Sequence, residues 1–293
     1  MNDAANNVPL ATSSMRQEVR MLRRLSVMTN GSSDAPRLRF MTEQDLAPAL
    51  QLIEGCDDEE VIEVRADYAE SIDDQLVLEH EGRLLGVTGF EAIEGTDRAY
   101  WLGWTFMDPD ERTPEMAEAM MRNLFVVLRG RKARKLFVQA SDWFSGGLRC
   151  SHRFQREVYE LAGFVEEFRL DNYYDTREAM IGLGLHLATP QPVDPPIEED
   201  GRAIVSLGVN EIDDCEAVGS LDWDYVDSPQ ADGIATAIDV ARQQEMRAVF
   251  ASAASHAVGA AQQLQAAGFR HVGRWTDYHE DGLHEEQFRF DLW

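Results

Sequence analysis

From Arg37 onward the hydrophobic positions switch repeatedly between a spacing of two and a spacing of three to four. "RLRF" predicts a short strand leading into a helix that carries Leu46, Leu50 and Ile53, with Thr42 or Asp45 available as its cap. "QLVLEHEGRLLGVTGFEAI" predicts two strands joined at Gly82. "RAYWLGWTFMD" continues as a single strand, and "TPEMAEAMMRNLFVVL" as a helix stacking Met116, Met120, Leu124 and Leu128 on one face. "KLFVQAS" is another strand. The following helix ends in "REVYELAGF", where Gly163 suits the left-handed position past a helix end. Two strands, at about residues 164–174 and 178–187, close the unit.

The four prolines and four acids of "ATPQPVDPPIEEDG" predict an extended linker. Beyond it the pattern returns. "WLGWTFMD" has a counterpart in "SLDWDYVD", pairing Trp104 with Trp223; "KLFVQAS" corresponds to "AVFASA"; "LAGFVEEFRLDNYY" corresponds to "AAGFRHVGRWTDYH", pairing Gly163 with Gly268 and Tyr173 with Tyr278. Only one strand, "RAIVSLGV", fits ahead of the second copy's long strand, so that copy lacks the opening elements. The expected organisation is an arm over 1–36, a complete domain over 37–188, a linker over 189–201 and a truncated domain over 202–293. The fold class is α/β with mixed sheets, as two repeats, each a central sheet flanked by helices.

Charge narrows the partners. The 293 residues carry 53 acids against 27 bases, a formal net charge of -26, and only Lys132 and Lys135 among those bases are lysines. Such a surface repels nucleic acid and anionic membrane and suits either a salty cytoplasm or a cationic substrate such as a polyamine or a lysine side chain. Three cysteines without metal-ligand spacing fit a reducing, cytoplasmic setting, and no apolar run reaches membrane-span length. The arm contains one basic amphipathic stretch, "MRQEVRMLRRLSVM", without the continuous apolar core of a secretion signal. It reads as a mobile arm or a helix docked on the acidic body, an organelle transit segment being the lesser reading.

The order strand, helix, hairpin, long strand, turn, helix, strand, helix, "GF" and two closing strands resembles the GNAT family of acetyl-CoA-dependent N-acyltransferases. The residues that carry the likeness are "YWLGWTFMDPDER", "REVYELAGFVEEFRLDNYY" and "LQAAGFRHVGRWTDYHEDGLHEEQFRFDL". The resemblance implies an acetyl-CoA cosubstrate, its pyrophosphate held by a [Q/R]xxGx[G/A] loop at a helix start, and transfer of acetyl to a primary amine. A tyrosine on the later helix would protonate the leaving thiolate. Tyr159, four residues ahead of Gly163, matches that catalytic position.

The loop falls elsewhere. In "PDERTPEMA" Arg112 and Ala117 fit its ends, yet Glu115 replaces the glycine and Pro114 removes a donor N–H, so Thr113, Pro114 and Glu115 make an ordinary helix start. The second copy's "QADGIA", Gln230, Ala231, Asp232, Gly233, Ile234 and Ala235, satisfies the loop pattern and is the expected cofactor-binding segment. That copy has Leu264 where the tyrosine would stand. One copy thus offers the acid and the other the loop. The partners expected are a small-molecule or peptide amine acceptor and acetyl-CoA. The alternative is a catalytically degenerate tandem module acting in partner binding or dimerisation.

Other stretches carry less. "HEDGLHEE" spaces its histidines five apart around an Asp-Gly turn, which fits a hairpin and no metal site. "RGRKARK", the only basic run of the folded body, suits either a CoA phosphate or the negative end of a helix. "DNYYD" and "TDYHED" are candidates for an acceptor pocket or for aromatic strand ends. Glu91, Asp108 and Asp222 are all available as a general base, and nothing selects among them.

Overall fold

The computed structural model of the chain describes residues 35–56, 60–142, 152–191, 203–212, 215–226 and 233–293. The basic stretch of the arm, most of the linker, and Gln230, Ala231 and Asp232 lie outside them.

The first half runs β1 (Arg37–Phe40), α1 (Leu46–Cys56), α2 (Glu60–Glu70), β2 (Gln75–His80), β3 (Arg83–Ala92), β4 (Ala99–Leu102), β5 (Phe106–Met107), α3 (Pro114–Gly130), β6 (Lys135–Ser141), α4 (His152–Ala162), β7 (Val165–Asp175) and β8 (Glu178–His186). Its mixed sheet is ordered β1-β2-β3-β4-β6-β8-β7, with β5 paired to β3. The second half runs β9 (Ala203–Glu211), β10 (Val218–Val226), α5 (Gly233–Gln243), β11 (Ala248–Ala254), α6 (Val258–Ala266), β12 (Arg270–Glu280) and β13 (Leu283–Asp291). Its sheet is ordered β12-β13-β11-β10-β9. Both are mixed α/β layers. No helix of the described residues is long and apolar enough to cross a membrane.

Local chemistry sets the elements. α3 starts where Thr113 Oγ1 accepts a hydrogen bond from the Met116 amide at 3.2 Å, with Pro114 at its first position. Met120, Leu124 and Leu128 then bury one face, each contributing roughly 2 kcal/mol of apolar transfer. Gly163 and Gly268 end α4 and α6 with φ of 98° and 102°, a conformation that costs other residues a clash at Cβ.

Two elements differ from the sequence reading. α2 goes unmarked there because "EVIEVRADYAE" is mostly charged, but Val61, Val64 and Tyr68 fall on one helical face and are buried. "RAYWLGWTFMD" is not one strand. It breaks after Leu102, where Gly103 donates to Gly89 O at 2.9 Å and a Cβ at Gly103 would stand 3.1 Å from the Gly89 carbonyl carbon. The chain then crosses to pair Phe106 and Met107 with Val87 and Gly86.

The two sheets share several local features. Parallel β4 and β6 pair only over Ala99, Tyr100 and Trp101, and parallel β10 and β11 only over Val218, Gly219 and Ser220. β7 slips register against β8 between Glu166 and Phe168 and between Leu170 and Asp175; β12 slips against β13 between His271 and Gly273 and between Trp275 and Glu280. Asn172 and Asp277, inside the second slip of each pair, both take a φ of 53°.

The halves meet through β7 and β12 around Phe137, Phe168, Phe250 and Trp275. Phe168 lies so close to Gly273 that a Cβ there would fall 2.4 Å from its own Cβ. Arg134, 4% exposed, donates to Asp97 O at 2.9 Å and across the junction to Tyr278 O at 3.1 Å. Arg247, 6% exposed, answers it by donating to Glu216 O at 2.7 Å and across to Tyr173 O at 2.7 Å. Lys135, fully buried, pairs with Glu167 at 2.5 Å and also donates to Thr276 O. Burial pushes the lysine down and the glutamate up in pKa, each toward its neutral form. Within the basic run, Arg129 lies in the last turn of α3 and Arg131 at its C-cap, as the helix-end reading expects, while Arg131 also pairs with Asp74 at 2.6 Å and Arg134 and Lys135 fasten the junction.

Candidate active site

Strands that pair for three residues and then diverge leave two backbone edges facing a gap. Past Trp101 the β6-facing edge of the β4 chain has no strand beside it among the described residues, while β6 continues to Ser141 paired with β8 on its other side. The gap opens into a cleft of about 1310 Å³, floored by Leu102, Gly103, Val138 and Ala140. α2 forms one wall. The "DNYYD" segment places Tyr173, Tyr174 and Asp175 on another, so this stretch does face the cleft. Ile212, Cys215 and Glu216 of the second half complete the lining.

Tyr159 sits in the cleft on α4, 5% exposed, packed against Phe164 with ring centroids 5.6 Å apart. Burial, with Glu60 as the lesser cause, pushes the phenol well above its ordinary pKa, so it stays protonated throughout the neutral range. Glu91 also lines the cleft. Asp108 does not; it is held by Arg83 at 2.5 Å.

The start of α3 does not fit a diphosphate. The Arg112 amide donates to Asp108 O, the Ala117 amide to Thr113 O and the Met116 amide to Thr113 Oγ1, and Pro114 has none to give. Two amides, those of Thr113 and Glu115, are left, beside the Glu115 carboxylate in the first turn.

The second half has its own gap, of about 600 Å³, lined by Ser220, Leu221, Phe250, Ala251 and Trp275 among others. Trp223 crosses it, donating from Nε1 to Ser252 O at 2.9 Å. Asp222 faces this gap and accepts from Asn210 at 2.5 Å. Of the expected cofactor loop, Gly233 opens α5, Ile234 is buried in the second core, Ala235 is exposed, and none of the three lines either cleft. Tyr159 and the described part of the loop are therefore not brought together. The first turn of α5 carries no acid.

The two clefts adjoin, since Gln139, Tyr173 and Ile212 line both. The acidic stripe of α2 and the contribution of the second half were missed in the sequence. The stripe was readable as Glu60, Glu63, Asp67 and Glu70 at helical spacing. The histidines of "HEDGLHEE" are paired with acids, His279 with Glu285 at 2.7 Å and His284 with Asp277 at 3.5 Å.

No protein-family model and no curated protein sequence matches the chain. Solved structures that resemble it are GNAT-family acetyltransferases aligned over about half of it. The ribosomal-protein-S18-alanine N-acetyltransferase of Escherichia coli is 17% identical at a TM-score of 0.43, over 54% of this chain and 97% of its own. An aminoglycoside 6'-N-acetyltransferase complexed with coenzyme A is 14% identical at 0.44, over 53% and 99%. A GNAT-family acetyltransferase of Brucella melitensis in complex with acetyl-CoA is 21% identical at 0.38, over 54% and 92%. At such identities a likeness bears on fold alone, and at such scores the chemistry has to come from the cleft itself.

Proposed function

We propose that the chain is a tandem of two GNAT-like units, the second truncated, and that the first unit's cleft transfers an acetyl group from a thioester to a primary, cationic amine. The repeat is supported by the matching three-residue parallel pairings and the matching register slips of the two sheets. The transfer rests above all on one observation: the gap between β4 and β6 opens beside Tyr159, a phenol kept protonated by burial.

In this reading the amine nitrogen bonds to the acyl carbon as the C–S bond breaks, and the sulfur takes the Tyr159 proton while the amine loses its own to water. The lining carboxylates hold the ammonium form of the acceptor near the reaction point until it is deprotonated. Acetyl-CoA would supply the thioester, but α3 offers its diphosphate no adequate cradle. "QADGIA" remains the candidate for that role. A thiol-release assay with acetyl-CoA, acetyl-pantetheine and a panel of primary amines tests the reading. Thiol release that depends on the amine supports it; none above buffer with any pair rejects it.

A second reading, a non-catalytic module that binds its ligand or a second copy of itself, is favoured by Glu115 at the start of α3 and by Trp223 across the second gap. Amine binding without thiol release would select its ligand-binding form.

A further inference from the structure

We propose that the bend formed by Thr276, Asp277 and Tyr278 in β12 is a proton-operated latch between the two halves, closed while His284 and His186 are neutral and released when they take up protons. The latch holds whether or not the first cleft transfers acyl groups.

The bend is where the first half takes hold of the second. Lys135 donates to Thr276 O, Glu167 accepts from the Thr276 amide at 2.8 Å, and Arg134 donates to Tyr278 O at 3.1 Å. Asp277, between them, has a left-handed φ of 53°, which a residue with a side chain keeps while its surroundings hold it. A ring supplies that hold: the Asp277 amide donates to His284 Nδ1 at 2.9 Å. A nitrogen that accepts carries no proton, so this imidazole is neutral with its hydrogen on Nε2. Protonation turns Nδ1 into a donor aimed at another donor, and the bond is lost. Asp277 Oδ1 stands 3.5 Å from the same nitrogen and already accepts from the Gly282 amide at 2.9 Å. A charged ring turning toward that oxygen draws it out of the turn that closes the hairpin.

His186, at the end of β8, reaches the same carboxylate from the first half, its Nε2 3.3 Å from Asp277 Oδ2. Its Nδ1 is buried with no partner among the described residues, so a second proton there meets no acceptor. Asp277 thus stands within ion-pair distance of two rings, one from each half. Burial is the first cause that lowers both histidine pKa values. Around His186, Lys135 and Arg134 act in the same direction while Asp277 and Asp281 oppose; around His284, Arg274 and Lys135 add to burial while Asp277 and Glu286 oppose. A base lowered in the closed state contributes fully above its free value of about 6.5, and that contribution is lost as pH falls below it. Glu167, raised by burial, works in the opposite sense. Trp275 and His279 flank the bend and line the second gap, so release of the latch loosens that wall while each half keeps its own core.

Amide hydrogen exchange of the full chain at pH 7.5 and 5.5, corrected for the pH dependence of the intrinsic rate, tests the latch. In the parent, protection across residues 274–280 should fall at pH 5.5 while that of α3 and α6 holds. His186→Gln with His284→Asn places neutral amides at both rings, the Asn oxygen serving as acceptor for the Asp277 amide. With each protein referred to its own value at pH 7.5, the fall should be at least about fivefold larger in the parent than in this double variant, Glu167 being common to both. Equal falls in the two proteins, or a fall in the parent shared by α3 and α6, overturn the proposal. Nuclear magnetic resonance of the parent's histidine rings tests it without any variant. His284 should be the Nε2–H tautomer at pH 7.5, and both rings should titrate below about 6.5. An Nδ1–H tautomer at His284, or titration of either ring above that value, overturns it equally.

Discussion

The Trp223 indole N–H donates to the Ser252 carbonyl at 2.9 Å, across the gap between β10 and β11. Its counterpart Trp104 turns the other way and donates to Asp67 on α2 at 2.7 Å. The difference follows from architecture. The first half has α2 to receive the indole, so the β6 edge stays open; the described residues of the second half include no such helix, and its tryptophan satisfies a strand carbonyl instead. Trp223→Phe keeps the ring and removes the donor, so urea unfolding should show a loss of about 1 kcal/mol, the net worth of one hydrogen bond. Unchanged stability would mean that the bridge contributes nothing.

Arg134 and Arg247 hold the halves together by the same device, each reaching a carbonyl on the other half's edge strand. Replacing either by Met removes the guanidinium donors from the carbonyls they bridge, and Arg134→Met also takes from the Asp281 carboxylate its ion-pair partner at 3.2 Å, leaving it the Gln191 amide. Each substitution should cost about 3 kcal/mol. The double variant should split a single calorimetric transition into two, because each half has a core of its own. A single cooperative transition in the double variant would show that the aromatic junction alone couples them.

Much of this architecture was legible because its elements are amphipathic. Met120, Leu124 and Leu128 announce α3, and the two "AGF" ends announce α4 and α6. The alignment that pairs Trp104 with Trp223 also pairs Ala99 with Val218 and Phe137 with Phe250, the same positions the two sheets place in equivalent registers. The site was less legible. Tyr159 could be located from its distance to Gly163, but its cleft depends on α2, whose acids hide three apolar positions. The junction role of Arg134 and Lys135 was illegible for a different reason: they bond to carbonyls of β12, and no local pattern indicates which distant backbone a buried cation will satisfy.

His186 supplies a pH dependence. Its Nε2 stands 3.3 Å from Asp277 and its Nδ1 is buried without a partner. Burial, then Lys135, lowers its pKa, with Arg134 acting in the same direction and Asp277 and Asp281 opposing. A base with a depressed folded pKa binds fewer protons folded than unfolded, so its contribution is complete above the unfolded value of about 6.5 and is lost as pH falls below it. Glu167, raised by burial, works in the opposite sense as acid is added. The variant isolates the histidine: the drop in melting temperature from about pH 7.5 to 5.5 should be about 2 °C smaller in His186→Gln than in the parent. An equal or larger drop would contradict the assignment.

Tyr159→Phe separates the chemistry from the packing. The ring keeps its contact with Phe164, so the substitution removes only the hydroxyl. Stability should therefore hold or rise slightly, amine affinity should change less than about twofold, and thiol release should fall about 100-fold. Release retained within a factor of about three would remove Tyr159 from the acid role and leave water as the proton source.

The start of α3 makes a prediction about the acyl donor. Where a helix terminus cradles a diphosphate, the adenosine end of coenzyme A adds binding energy, and a donor truncated to pantetheine loses it. Here Thr113 caps the helix itself, Pro114 gives no amide, and the Glu115 carboxylate occupies the positive end of the dipole. If that terminus alone governs donor affinity, kcat/KM for acetyl-pantetheine should lie within about tenfold of that for acetyl-CoA, and Glu115→Gly should lower KM for acetyl-CoA without altering it for the truncated donor. If "QADGIA" holds the diphosphate instead, acetyl-CoA should be preferred by well over tenfold, and Gly233→Val, which crowds the opening of α5, should abolish that preference. Comparison of the two donors across the two variants therefore decides which helix start, if either, meets the cofactor.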